Sequence, residues 1–218
     1  MNTRYLPVLL AIIISTLASC SKRETKVNHY KNGKVSSELN YKNGKLDGES
    51  RYYYENGNIQ SLFTYQDGVL DGKAATWFLN GNLESEMHYK DGHLEGVKKI
   101  YYENGNPAKM ETYHNDTLNG KAMSYHLNGK VKTEGYYYMG LYDSSWLYLD
   151  QYGLLVGEAD FNRGNGKQIA YFANGKKKRL TPFRNNVIDG IVEFYNPEGV
   201  LVKEQIYENG IFIEEREK

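Results

Sequence analysis

The stretch Tyr89-Lys90-Asp91-Gly92-His93-Leu94-Glu95-Gly96 decides the fold, because its pattern returns along almost the whole chain. The pattern is an aromatic residue, two residues, glycine, one residue, leucine, an acid and glycine. An Asn-Gly pair such as Asn80-Gly81 precedes it, and nearly everything after residue 28 is a copy of this unit. Self-similarity at a fixed period is the signature of a repeat protein.

Three glycine columns set the period. The first recurs every 24 residues, apart from one step of 22, in about eight units: Gly33, Gly57, Gly81, Gly105, Gly129, Gly153, Gly175 and Gly199. The second lies eleven residues later, and the third, in most units, four further on. Asp116, Asn186 and Ser144 replace glycine in these two columns, and Asp and Asn are the residues that tolerate a positive φ best after glycine. Gly164 and Gly166 are only two residues apart, so a two-residue deletion falls in that turn.

The segments between turns alternate apolar and polar residues, which predicts strands. Ile59, Phe63 and Tyr65 share one parity, whereas Gln60 and Thr64 take the other. We therefore expect one apolar and one wet face. The Asn-Gly pairs predict hairpins in which both turn residues have positive φ. Each unit then supplies two strands, for a total of about 15.

The predicted fold is all-β: an elongated, single-sheet antiparallel β-meander. A sheet with one apolar face must cover that face, and the chain holds no segment for a second layer. We therefore expect the sheet to curl along its axis and to stack its aromatic side chains into a ladder.

The N-terminus reads as an export signal with an apolar, helical stretch too short to span a bilayer. It ends in Leu17-Ala18-Ser19-Cys20, which resembles the bacterial lipobox and implies acylation of Cys20. The alternatives are an ordinary signal peptide with an incidental cysteine, or an uncut membrane anchor. The predicted segments are a lipoprotein signal peptide at 1–19, a lipidated tether at 20–28, the repeat domain at 29–213 and a charged tail at 214–218.

Composition excludes several classes of protein and site. Lys+Arg and Asp+Glu both number 27, so no basic excess indicates nucleic-acid binding. The single cysteine excludes a disulfide within the chain and a cysteine-based zinc site. We expect no metal and no cofactor, because the five histidines are scattered over the repeat columns and the segment Gly164-Asn165-Gly166-Lys167 lacks the spacing of a phosphate loop. No catalytic signature stands out. The acids five residues after the first glycine, Glu86 among them, are expected to pair with lysines on neighbouring strands.

Two groups of residues are candidate binding surfaces. Most of the aromatic columns are expected to form the packed interior, but part of them forms a candidate groove: Tyr53, Trp77, Phe78, Tyr101 and Tyr125. The second group is a candidate basic patch for an anionic partner, although a solvated strand face is the plainer interpretation: Lys176, Lys177, Lys178 and Arg179.

The unit resembles the bacterial variant of the MORN repeat, and Tyr65-Gln66-Asp67-Gly68-Val69-Leu70-Asp71-Gly72 is a close copy of the opening stretch. Bacterial chains of this kind are often labelled antitoxins of the YwqK family. The resemblance implies a β-meander used as a scaffold or binding surface, and does not imply an enzyme. We expect a monomeric lipoprotein, anchored in the bacterial cell envelope at the outer membrane, that binds a protein or glycan partner and no nucleic acid. The alternatives are a toxin-neutralising or immunity-type protein and a glycan-binding surface module.

Overall fold

The computed structural model describes residues 22–218, which consist of strands and turns. The signal peptide, its predicted helix and Cys20 lie outside the described residues. Residues 22–218 contain no helix long and apolar enough to cross a membrane. The strands are β1 (Arg23–His29), β2 (Val35–Lys42), β3 (Lys45–Tyr53), β4 (Ile59–Gln66), β5 (Val69–Trp77), β6 (Leu83–Lys90), β7 (His93–Leu94), β8 (Gly96–Tyr101), β9 (Pro107–His114), β10 (Thr117–Tyr125), β11 (Val131–Tyr138), β12 (Leu141–Leu149), β13 (Leu155–Asn162), β14 (Asn165–Tyr171), β15 (Lys177–Arg184), β16 (Val187–Ile188), β17 (Gly190–Tyr195), β18 (Leu201–Glu208) and β19 (Ile211–Glu217).

All 19 strands form one antiparallel sheet. Strands that follow one another in the chain pair with each other, except that β7 and β8 both pair with β6, and β16 and β17 both pair with β15. The sheet is not closed, because β1 pairs with β2 alone and β19 with β18 alone. The predicted all-β, single-sheet meander is confirmed.

The sheet extends beyond the predicted repeat domain at both ends. Strand β1 occupies residues assigned to the tether, and β19 takes in most of the predicted tail. Val27 pairs with Glu38, and Gln205 pairs with Glu215. The reason is that backbone pairing follows from an adjacent hairpin turn and does not require an apolar pattern.

Two kinds of turn join the strands. At Asp67-Gly68 both residues have positive φ, of 49° and 90°, as a two-residue type I′ turn requires. At the first glycine column only the glycine is left-handed, and Gly57 N–H donates to Tyr54 O at 2.8 Å. This is a three-residue turn with a bulge. The prediction that both residues of these Asn-Gly pairs take positive φ is therefore wrong for the first column.

A β-bulge after each three-residue turn reverses the face of the next residue. Tyr52 pairs with Ser61, but Tyr53 pairs with Ile59, so Gln60 is the extra residue. Directly paired residues share a face and neighbours along a strand do not. Ile59 therefore lies on the opposite face from Phe63. The prediction that they share a face is wrong, because the alternation does not continue through the bulge.

We name the face that carries Ser50, Phe63 and Tyr65 the inner face, and the opposite one the outer face. Ser50 and Ala74 are fully buried there. Near the middle of the sheet a compact cluster forms on the same face: Ala122, Tyr137, Tyr142, Trp146, Tyr148, Ala159, Phe161 and Phe183. A Cβ at Gly135 would lie 2.0 Å from the Trp146 ring, so only glycine fits opposite this indole. Trp146 is thus a core residue.

The two-residue deletion removes a bulge. The hairpin of β13 and β14 pairs without a register shift, whereas the corresponding hairpin of β4 and β5 shifts between Phe63 and Tyr65. Gly166 is not among the left-handed glycines, unlike Gly48, Gly72 and Gly120 in its column. Replacement of glycine at left-handed positions is confirmed for Asp116 (φ 62°), Asn186 (φ 67°) and Ser144 (φ 57°).

Candidate functional site

The predicted aromatic groove residues form a row on the outer face. Tyr53, Trp77, Tyr101 and Tyr125 are half-buried and pair in register with Ile59, Leu83, Pro107 and Val131. Two of the tyrosine hydroxyls donate to carboxylates: Tyr53 to Glu38 Oε2 at 2.9 Å and Tyr101 to Glu86 Oε1 at 3.1 Å. Phe78 stands apart from this row, because it follows β5 and begins the next turn.

The recurrent acids of the outer face have two kinds of partner. Lys99 Nζ lies 3.0 Å from Glu86 Oε1, and Lys121 Nζ lies 2.6 Å from Glu134 Oε1, which confirms the expected pairing with lysine in these units. In another unit the partner is a tyrosine, since Tyr171 donates to Glu158 Oε1 at 2.6 Å. The bond from Lys99 holds the pKa of Glu86 below its ordinary value.

The acid of the Leu-acid-Gly motif caps the next turn along the sheet. Asp71 Oδ2 accepts from Asp91 N–H at 3.2 Å, and Asp189 Oδ1 accepts from Asn209 N–H at 3.2 Å. Asp143 does the same for Arg163 N–H at 3.0 Å. The conserved spacing of this acid within the chain is therefore explained by a backbone N–H of the following unit that needs an acceptor.

Asparagines form a second set of bonds between units, in the turns at the opposite ends of the strands. Asn56 and Asn58 both donate to Leu79 O, at 3.1 and 3.0 Å, and Asn80 and Asn82 both donate to Glu103 O. Sequence reasoning identified the Asn-Gly turns but missed these contacts between units.

Two histidines pair with acids at the turns between β6 and β10. His93 Nδ1 lies 2.6 Å from Asp116 Oδ2, and His114 Nδ1 lies 3.0 Å from Glu95 Oε1. Each acid also accepts a backbone N–H, from Leu94 at 2.7 Å and Asn115 at 3.0 Å. Within residues 22–218, no three His, Cys, Asp or Glu side chains are placed to hold a metal ion together.

The four residues of the predicted basic patch have different surroundings. Lys176 lies in a turn and donates from Nζ to Glu198 O at 2.8 Å. Lys177 Nζ is 4.9 Å from the centre of the Tyr195 ring, while Lys178 Nζ is 5.8 Å from that of Phe172. Arg179 is exposed. The three lysines therefore contact different neighbours.

A cavity on the inner face was not predicted. It has a volume of about 440 Å³ and is lined by Tyr52, Tyr54, Gln60, Ser61, Phe63, Tyr65, Thr76 and Glu84. None of the predicted groove residues contributes to it. The sequence does not indicate the bulge at Gln60, which brings this side chain onto the same face of the sheet as Ser61.

The comparison with protein families agrees with the geometry. A profile described as MORN repeat variant matches seven segments, which together make up well over half of the chain: residues 27–43, 46–67, 70–91, 94–115, 118–137, 165–185 and 188–209. Residues 138–164, which contain β12 and β13, fall outside the matched segments. No curated protein matches the chain at a significant level. The seven matched repeats, laid out as hairpins of one sheet, show that the chain belongs to the MORN repeat variant family.

Proposed function

We propose that the protein is a non-enzymatic interaction scaffold, held in the bacterial cell envelope at the outer membrane by a lipid on Cys20. The observation that carries this proposal is a single open sheet: over residues 22–218 no second layer covers either face. Repeat sheets of this kind offer extended binding surfaces. Burial of Ser50 and Trp146 on one face supports the further proposal that the sheet curls about that face.

The polar side chains support a structural rather than a catalytic role. A general acid or base must be free to exchange a proton with a bound substrate. Here Glu86 is held by Lys99 and Tyr101, and Asp116 by His93 and Leu94 N–H. These groups bond to the sheet itself.

The start of β1 supports a short anchor. Only Ser21 and Lys22 separate Cys20 from Arg23, where β1 begins. A lipid on Cys20 would then hold the first edge of the sheet against the membrane. Two or more acyl chains are needed for stable attachment.

The alternative functions are toxin neutralisation, as the YwqK-family label would imply, and glycan binding. The partner distinguishes them. One stoichiometric toxin-like protein cross-linked to the full-length chain would favour the first, and retention of an oligosaccharide without any protein partner would favour the second. Turnover of a substrate by the purified chain would contradict the scaffold proposal.

The anchor is tested by labelling cells with a tagged fatty acid. We expect label on the wild-type protein and on Ser19→Ala, which keeps a small residue before Cys20, and none on Cys20→Ala. Unlabelled wild-type protein, or a labelled Cys20→Ala variant, would show that Cys20 is not the lipid attachment site.

A further inference from the structure

The inner-face cavity between β3 and β6 has aromatic walls. The rings of Tyr52 and Phe63 meet edge to face with centroids 6.5 Å apart, and Tyr65 stands on the same face. Burial, with a smaller contribution from Tyr52, raises the pKa of Tyr65 above its ordinary value. Ligand pockets combine such aromatic walls with a few polar groups, in volumes of about 300–1,000 Å³.

The polar groups of this cavity are free to bind. Tyr52, Gln60, Ser61, Tyr65 and Glu84 make no side-chain hydrogen bond to any of residues 22–218. By contrast, Tyr54 donates to Trp77 O at 2.7 Å, and Thr76 is bonded to Ser85 Oγ at 2.7 Å. Gln60 is exposed and the other four residues are half-buried, so these groups reach solvent and can exchange bound water for the polar groups of a ligand.

The chemistry of the lining selects the ligand. It holds three phenols, an amide, two aliphatic hydroxyls and one carboxylate, and neither lysine nor arginine. An anion would meet the Glu84 carboxylate without a compensating cation, which is unfavourable. A sugar ring instead offers apolar C–H faces to aromatic rings and neutral hydroxyls to neutral donors and acceptors.

This combination belongs to one unit. In the next unit Thr76 and Met87 stand where Tyr52 and Phe63 stand here, so the aromatic walls are missing. A feature present in a single repeat is not required by folding, because the other units fold without it.

We infer that the cavity lined by Tyr52, Phe63 and Tyr65 binds an uncharged carbohydrate chain. This rests on the proposed function and gives the scaffold a glycan ligand on its inner face. The rings of Tyr52 and Phe63 pack against the sugar, while Gln60, Ser61 and the phenol groups bond to its hydroxyls.

The test uses the full-length lipidated protein in a detergent without a sugar headgroup. The probes are chitotetraose, cellotetraose and maltotetraose, with an oligogalacturonate as anionic comparison, and binding is measured by calorimetry. We expect at least one neutral probe to bind more tightly than the anionic one. The Tyr52→Phe/Tyr65→Phe variant keeps both rings and loses two hydrogen-bonding groups, so we expect binding to weaken about tenfold or more.

The matched control is Tyr171→Phe, the same change on the outer face, which should leave affinity unchanged. Absence of binding by every neutral probe at millimolar concentration overturns the inference. So does equal affinity of wild type and the double variant, or tighter binding of the oligogalacturonate than of every neutral probe. These failures leave lipid labelling at Cys20 untouched, so they are distinguishable from failure of the scaffold proposal.

Discussion

At one position of the repeat, a side-chain donor in several units bonds to a backbone carbonyl of the next unit. Tyr54 donates to Trp77 O and Tyr102 donates to Tyr125 O, each at 2.7 Å and across 23 residues. His126 makes the equivalent bond from Nε2 to Leu149 O at 2.9 Å. Phe78 occupies the same column without a donor, so the carbonyl of Tyr101 lacks this bond.

Phe78→Tyr should stabilise the protein. The added hydroxyl is placed to donate to Tyr101 O, and one hydrogen bond contributes about 0.5–1.5 kcal/mol. The measurement is the free energy of unfolding from urea titration. Tyr102→Phe is the matched control and should lower stability by a similar amount. If Tyr102→Phe destabilises while Phe78→Tyr changes nothing, the bond does not transfer between units.

At this scale the sequence does not indicate the bond that Tyr54 makes. The acceptor for Tyr54 is a backbone carbonyl, which every residue carries, so no residue type 23 positions later indicates the bond. The acid of Asp71 is similar, because it accepts from the backbone N–H of Asp91. A bond between a side chain and the backbone restricts the residue type only at the position that contributes the side chain, so the position of its backbone partner shows no pattern in the sequence.

Among the elements, the turns at the ends of β6 to β10 carry the titratable pairs. The bond from His114 lowers the pKa of Glu95, and the bond from His93 lowers that of Asp116, with backbone N–H groups adding to both. These histidines, which the sequence shows only as scattered over the repeat columns, form two acid–histidine pairs in the structure.

These pairs predict a loss of stability in acid. A carboxylate whose folded pKa is depressed stabilises the fold above its unfolded pKa, about 4.3 for Glu and 3.9 for Asp, and loses this contribution as pH falls through the folded value. The thermal midpoint should therefore fall as pH drops from about 5 to below 4.

The His93→Asn/His114→Asn variant tests this dependence. It removes the largest cause of both depressed pKa values, so its thermal midpoint should change less over the same pH window. His29→Asn, at the exposed end of β1, is the control and should follow wild type. Identical curves for wild type and the double variant would mean that these pairs do not contribute.

Strands and turns were predictable from local signals, whereas the faces were not. Glycine columns and alternation locate β4 and β5 well. Whether Ile59 points inward depends on which residue of β3 pairs with it, and this register is a contact between strands. The bulge at Gln60 therefore puts Ile59 on the outer face, where the sequence pattern did not predict it, and leaves the cavity unpredicted.

For the whole molecule, the open edge at β19 carries both exposed apolar residues and acidic residues. The last strand exposes Ile211, Phe212 and Ile213, by 67, 50 and 49%. The same strand ends in Glu214, Glu215 and Glu217. An exposed apolar edge strand pairs readily with another chain, and charges on it oppose such pairing.

Replacing Glu214 and Glu217 by threonine should therefore promote self-association through β19. Light scattering of the full-length protein in detergent should show species larger than wild type, increasing with concentration. Glu55→Thr/Glu103→Thr makes the same change of charge in exposed turns and should behave as wild type. Equal masses for all three proteins would show that these charges do not guard the edge.

The hairpin of β13 and β14, which lacks its bulge, interrupts the translational symmetry of the sheet. Before it, five matched segments succeed one another at nearly equal steps, and after it come two more. A long, regular partner lying along the sheet could bind at equivalent positions one unit apart, with similar binding free energy at each, and could move from one position to the next. At the hairpin of β13 and β14 the spacing between units changes, so the positions on its two sides are no longer equivalent for such a partner. For such a partner, the two missing residues would make one position along the sheet different from all the others.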